Sequence, residues 1–236
     1  MTPPALPRRL AAESLGAFVL VGGGTGAIAV DAQTGGALGV SGVAVAFGLA
    51  VGIMVLAVGH LSGAHLNPAV TLAFAAARHF PAREVAPYVA AQAAGALAAS
   101  ACVLALLGDG GGLGVTRPGL AGDGGAIATE AALTAVLMIV ILAVATDTRA
   151  AGHMAAVAIG GTIALEALVF GPVTGASMNP ARSLAPAVVS GDLAGLWIYL
   201  SGPVAGALAG AAVYEWLRGA PRPAPAAAPD AEETSA

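Results

Sequence analysis

Ser62-Gly63-Ala64-His65-Leu66-Asn67-Pro68-Ala69 and Thr174-Gly175-Ala176-Ser177-Met178-Asn179-Pro180-Ala181 are two versions of one phrase, and each opens a short apolar run. Asn is a favoured helix N-cap, and Pro suits the first helical position, where its missing N–H costs nothing. Each Asn-Pro-Ala therefore starts a helix. A single copy would read as an ordinary cap after a loop. Two copies in matching surroundings point to a shared device. The runs they open, Asn67 to Ala77 and Asn179 to Val189, span about 11 residues, whereas crossing a bilayer core takes about 20. They read as re-entrant half-helices.

Working outward, six longer apolar segments flank these runs: Leu10 to Val30, Val40 to Gly59, Val85 to Leu107, Ala126 to Ala145, Met154 to Phe170 and Ala194 to Leu217. Lipid cannot satisfy exposed backbone groups, so segments of this kind cross as helices. Composition agrees, since 58% of the 236 residues are hydrophobic and only 9% charged, against about 25% charged in a soluble domain. The first run follows Arg8 and Arg9 like a signal peptide, but its length and the spans behind it mark a retained first span. The fold expected is an all-α multi-pass membrane protein.

The halves repeat. Leu10-Ala11-Ala12-Glu13 opens the first and Ile127-Ala128-Thr129-Glu130 the second, each ahead of its Asn-Pro-Ala phrase. Three spans per half is an odd number, so the second copy enters the membrane from the opposite side, giving an inverted repeat with a shared site near the midplane. The domain plan is a short segment 1–9, a channel domain 10–217 (repeat one about 10–107, repeat two about 126–217) and a Pro/Ala-rich tail 218–236, expected to be disordered. With both termini on one side, Arg8, Arg9, Arg78, Arg83, Arg149, Arg218 and Arg222 fall there and only Arg117 falls opposite. That side is expected to be the cytoplasm.

Two half-helices meeting N-terminus to N-terminus focus about half a positive charge each at mid-bilayer and repel cations. The amides of Asn67 and Asn179 remain as donors. Gly63, Ala64, His65 and Leu66, with Gly175, Ala176, Ser177 and Met178, are expected to turn carbonyl oxygens into the lumen. Donors in the middle with acceptors leading in suit small neutral hydroxylic molecules.

These motifs resemble the aquaporin (major intrinsic protein) family from Leu10 to Leu217, and Gly171 to Ala187, Gly195-Leu-Trp-Ile-Tyr and Ala145-Thr-Asp-Thr-Arg-Ala are similar to its nodulin-like intrinsic protein (NIP) branch and the bacterial members related to it. The resemblance implies the aquaporin fold and a homotetramer with one pore per protomer in the cell (plasma or inner) membrane. It also implies a selectivity filter at Phe47, Ala167, Ala176 and Arg182. Water-selective members carry His where this chain has Ala167. Loss of an imidazole widens the constriction, so passage of water together with glycerol, urea or metalloid hydroxides such as arsenous, boric or silicic acid is expected. Arg182 supplies five fixed donors beside the apolar wall of Phe47.

The resemblance also implies that Glu13 and Glu130 brace the half-helix loops, in preference to relaying protons. Glu166, about 100° around its helix from Ala167, is expected at the outer or inter-subunit face. His65 is expected to brace its loop; His60 and His65 lack a third metal ligand, and no cofactor is implied. His79 and His153 read as solvated edge residues, and Trp197, Tyr199, Tyr214 and Trp216 as an interfacial aromatic belt. Gly22 and Gly26, Gly48 and Gly52, and Gly202, Gly206 and Gly210 are spaced for close helix packing.

Two alternatives stand beside the solute channel: a strict water channel, and an ion-coupled secondary transporter using Glu13, Glu130 and Glu166. Cys102 is the single cysteine, and the net charge of −4 leaves no basic footprint for nucleic acid. No Ser-His-Asp, Cys-His or paired-carboxylate arrangement stands in the short loops, which argues against an enzyme.

Overall fold

The computed structural model describes residues 4–147 and 154–219. Six long helices, α1 (Leu6–Gln33), α2 (Gly39–Ser62), α4 (Val85–Leu107), α5 (Gly122–Thr146), α6 (Ala155–Thr174) and α8 (Leu196–Arg218), are each long and apolar enough to cross a membrane. Two short ones, α3 (Pro68–Ala76) and α7 (Pro180–Ser190), follow the Asn-Pro pairs. No strand occurs among the described residues. Of the expected tail, Arg218 ends α8 and Gly219 follows it; residues 220–236, Arg222 among them, lie outside the described residues, as do Arg149 and His153.

Four of the spans, α1, α2, α5 and α6, are longer than their apolar runs, whereas α4 coincides with its run and α8 is one residue shorter. The fifth runs on from Phe170 through Pro172 to Thr174. Both second spans of the repeats then stop in the same way, α2 on Gly63 (φ 91°) and α6 on Gly175 (φ 88°). A left-handed residue ends a helix at little cost only when it is glycine. The stop releases the chain into the loops that lead to Asn67 and Asn179.

Within each repeat the first and last spans pair, α1 on α4 and α5 on α8, while α2 and α6 pack across the repeat boundary. Missing side chains set these distances. A Cβ on Gly95 would stand 2.0 Å from Ser14 O in the α1–α4 contact, and one on Gly206 would stand 2.0 Å from Ala131 O in the α5–α8 contact. Gly48 meets Gly160 O at 2.5 Å by the same construction. Gly22 and Gly26, by contrast, face Ala99 and Val103 at ordinary distances of 3.7 and 3.9 Å. The close face of α1 instead carries Gly16 and Gly24, against the side chains of Leu66 and Phe47. Spacing by four was right for α2 and α8 and picked the wrong stripe on α1, because the pattern does not say how the helix is rotated.

Outward faces remain apolar: Leu49, Ile53, Leu56, Val157 and Leu165 are exposed, as suits helices surrounded by lipid. Trp197 and Trp216 are exposed at the two ends of α8, consistent with a belt. Tyr199 departs from that expectation. It is fully buried, and its hydroxyl donates to Thr174 O at 2.7 Å. Glu166 is likewise inside the protomer, 5% exposed, with no hydrogen-bond partner for Oε2 among the described residues; the outer-face expectation fails because α6 turns this position toward α5 and Glu130.

The charges sort to the two ends. Arg9 pairs with Glu84 at 2.7 Å, and Glu215 takes His79 at 2.8 Å and Arg218 at 3.5 Å, all at the end that holds the start of α1. His79 is thus hydrogen-bonded to Glu215 and not merely a solvated edge residue. Arg117 stands at the opposite end and pairs with Asp192.

Candidate functional site

Two buried carboxylates hold the two loops in matching ways. Glu13 Oε1 accepts from Ser62 Oγ at 2.7 Å and His65 N at 2.9 Å, and Oε2 accepts from Leu66 N at 2.7 Å and Gln92 Nε2 at 2.8 Å. Glu130 Oε1 accepts from Thr174 Oγ1 at 2.8 Å and Ser177 N at 2.9 Å, and Oε2 from Met178 N at 2.8 Å. A charge so far from water survives only with such a full set of donors. Neither position could relax to an apolar residue without freeing backbone N–H groups.

The bracket is needed because the loop backbone is strained. Ala64, Leu66, Ala176 and Met178 all have positive φ, between 41° and 55°, a region that costs a non-glycine residue roughly 1–2 kcal/mol. Both loops repeat the same sequence of left-handed residues. Ser62 and Thr174 add a further tie, their hydroxyls accepting from Ala64 N and Ala176 N at 3.1 Å. Tyr88 and Tyr199 donate to the carbonyls of Ser62 and Thr174. His65 Nδ1 lies 3.1 Å from Thr71 Oγ1, and its ring stacks on Phe74 at 4.6 Å.

The half-helices meet at the two asparagines. Asn67 Oδ1 caps α3 by accepting from Ala69 N, and Asn179 Oδ1 caps α7 by accepting from Ala181 N, both at 2.9 Å. Each amide nitrogen crosses to the other repeat: Asn67 Nδ2 donates to Met178 O at 2.8 Å, and Asn179 Nδ2 to Leu66 O at 2.9 Å. One N–H of each amide is therefore spent on joining the repeats, and one remains. Leu66 O and Met178 O each accept one of these bonds and keep a second lone pair.

A cavity of about 450 Å³ runs between α2, α6 and the loops, lined by both asparagines and by Phe47, Ala167, Ala176 and Arg182. Gly63, Ala64, His65, Leu66, Ser177 and Met178 also border it. Gly175 does not; its N–H closes α6 on Gly171 O and it lies against Thr116. Pro68, Ala69, Pro180 and Ala181 are buried behind the caps, and Glu13 and Glu130 stand behind the loops.

Arg182 is 3% exposed. Its Nη1 donates to Gly114 O at 2.6 Å, and its guanidinium carbon lies 4.8 Å from the centre of the Phe47 ring. Gly114 belongs to the connection between α4 and α5, whose Thr116 Oγ1 also donates to Ser183 Oγ at 2.8 Å. Sequence reasoning named neither residue, nor Gln92 or Tyr88, and it placed Tyr199 in the interfacial belt. Ser62 and Thr174 head the repeated phrases and were the available signal; nothing local marks Gly114.

Six spans, two opposed half-helices and a lumen with a positive, donor-rich wall define a membrane channel. The family described as Major intrinsic protein matches residues 2–214. The chain is 54% identical to Aquaporin NIP1-4 of Oryza sativa subsp. japonica over 211 residues, covering 89% of this chain and 76% of that protein. Aquaporin NIP6-1 of Arabidopsis thaliana is 44% identical over 216 residues, covering 91% and 70%. Among solved structures, the aquaglyceroporin from Plasmodium falciparum superposes with a TM-score of 0.82 at 28% identity, over 89% of this chain and 96% of that one. The chain belongs to the major intrinsic protein family. It is a multi-pass membrane channel for water and small neutral solutes and not an enzyme.

Proposed function

We propose that the channel passes polyols, urea and uncharged metalloid hydroxides (arsenous, boric or silicic acid) as well as water, and excludes protons and ions. The observation that carries this is the composition of the lumen wall around Arg182: Phe47 stacks beside the guanidinium, and the other two members, Ala167 and Ala176, contribute only methyl groups. A solute's hydroxyls meet Arg182 while its carbon edge slides on Phe47, and the alanines leave it room. At the midplane the spare N–H of Asn67 and of Asn179 takes the next oxygen. Both half-helices turn their positive ends there, so a cation meets donors and a positive potential with no carboxylate among the described residues of the lumen wall.

The ends bearing Arg9, Arg78, Arg83 and Arg218 face the cytoplasm in this reading, which puts both termini there and Arg182 toward the outer mouth of a plasma or inner membrane protein. The assembly is a homotetramer with a pore in each protomer, in line with the family resemblance and with the exposed apolar faces of α2 and α6.

Stopped-flow light scattering on proteoliposomes tests the reading. Water efflux under an impermeant osmolyte is compared with swelling under inward gradients of glycerol, urea and boric acid. Protein-dependent solute entry, independent of sodium and proton gradients, is expected. Fast water flux with solute rates equal to empty liposomes would make it a strict water channel; a requirement for an ion gradient would make it a transporter.

A further inference from the structure

The segment that supplies Gly114 O to Arg182 has little conformational preference of its own. Gly111, Gly112, Leu113 and Gly114 all have positive φ, from 53° to 71°, and three of the four are glycines, which enter and leave that region freely. Its position is set by tethers. Leu113 is buried against Ala29 and Val103, and Thr116 reaches Ser183. Arg117 Nη2 meets Asp192 Oδ2 at 2.5 Å, just past the C-terminal end of α7. Asp192 is pre-aimed for this contact, because its Oδ1 accepts from Ala194 N at 3.1 Å. Arg182 and Asp192 thus lie at opposite ends of α7, and the Gly114–Arg117 segment is fastened to both.

We infer that the Arg117–Asp192 ion pair is a latch that positions Arg182 by holding the Gly114 carbonyl on its guanidinium, and that it sets how far the channel discriminates solute from water. With the latch closed, Nη1 is occupied and the guanidinium is kept against Phe47. With it open, the glycine-rich segment loses a tether, Gly114 O withdraws part of the time, and Arg182 moves in the wider space left by Ala167 and Ala176. Larger solutes gain relative to water. Arg117 and Asp192 are positioning residues and touch no permeant. The inference rests on the reading of Arg182 as part of the constriction.

The pair is open to ions, with side-chain exposures of 57% and 32%, so salt provides a test without mutation; the screening length falls from about 10 Å at 0.1 M to about 3 Å at 1 M. The experiment measures glycerol and water permeability in proteoliposomes with equal salt on both sides, for the wild type, Asp192→Asn, Arg117→Gln and Arg182→Ala. Expected are a rise of about twofold in the glycerol-to-water ratio for either latch variant at low salt, as suits an exposed pair, a wild-type ratio that climbs toward theirs as salt increases, and variants that ignore salt. If Arg182→Ala changes the ratio while both latch variants and the salt series leave it alone, the latch is refuted and the constriction stands. If the latch variants lower both permeabilities in parallel at constant ratio, they act only on folding and the latch is again refuted. If Arg182→Ala leaves the ratio unchanged, Arg182 is not part of the constriction and the latch falls with it.

Discussion

Asn67 of the first repeat donates its amide to Met178 O of the second, and Asn179 returns the bond to Leu66 O. The cap of each half-helix is therefore also the joint between the halves. Replacing Asn67 by Ala removes a helix cap worth about 1 kcal/mol and leaves Met178 O without its partner, at about 1 kcal/mol or more. The expected outcome is a lower thermal midpoint in detergent together with reduced water permeability. An unchanged midpoint would mean the joint is not formed.

Asn179→Asp puts a carboxylate where two half-helix N-termini converge. The positive barrier is then partly cancelled, and a cation leak is expected where the wild type has none. Dissipation of an imposed pH gradient in dye-loaded proteoliposomes reads this directly, with water flux as the control for correct insertion.

Ala167→Trp fills the space beside Phe47 and Arg182. Glycerol and boric acid entry should fall to the rate of empty liposomes, while water flux, which needs less width, persists. Equal loss of both would show a blocked pore or a misfolded one; no loss would move the constriction elsewhere.

Glu13→Gln keeps the shape of the side chain but turns an NH₂ toward the donors of Leu66 and Gln92 or of Ser62 and His65. A buried donor then opposes a donor, and a loss of about 2 kcal/mol follows from charged hydrogen bonds given up. Lower thermal stability is expected, with Glu130→Gln behaving in parallel because its bracket is built alike. Stability equal to wild type for both would overturn the bracing role.

The close helix contacts give a paired prediction. Gly206→Ala forces a methyl to within 2.0 Å of Ala131 O and should abolish folded protein, whereas Gly22→Ala meets Ala99 at 3.7 Å and should be tolerated. Yield of monodisperse protein on size exclusion separates the two. Sequence spacing alone treats both glycines alike.

The latch also has a pH signature. The Ala194 N–H and then Arg117 hold the Asp192 carboxyl below the usual carboxylate range. A depressed carboxyl contributes stability that is fully present above its unfolded value and is lost as pH falls through the folded one. The glycerol-to-water ratio should accordingly be flat from neutral pH down to the usual carboxylate range and rise only below it. Asp192→Asn should remove that rise.

Much of the architecture was legible in the amino-acid sequence because it follows from local physics. Apolar length specifies a span whatever surrounds it. Asn-Pro starts a helix through its own side chain and ring, so α3 and α7 begin where the phrase predicts, and a duplicated phrase in halves of three spans implies inversion. Asn67, Asn179, Glu13 and Glu130 could be named because they recur in matching places of the two halves, whereas Phe47, Ala167, Ala176 and Arg182 were named through the family resemblance. Only the tertiary structure decided what depends on helix rotation and on contacts between distant segments. It turned Gly16, Gly24 and Gly95 rather than Gly22 and Gly26 to the close faces, buried Tyr199 and Glu166, joined Leu66 O and Met178 O to the asparagines, and brought Gly114 O to Arg182 across 68 residues of chain. An apolar helix with small residues on several faces carries no strong mark of which one turns inward, and a glycine-rich loop has no preferred path until its partners hold it.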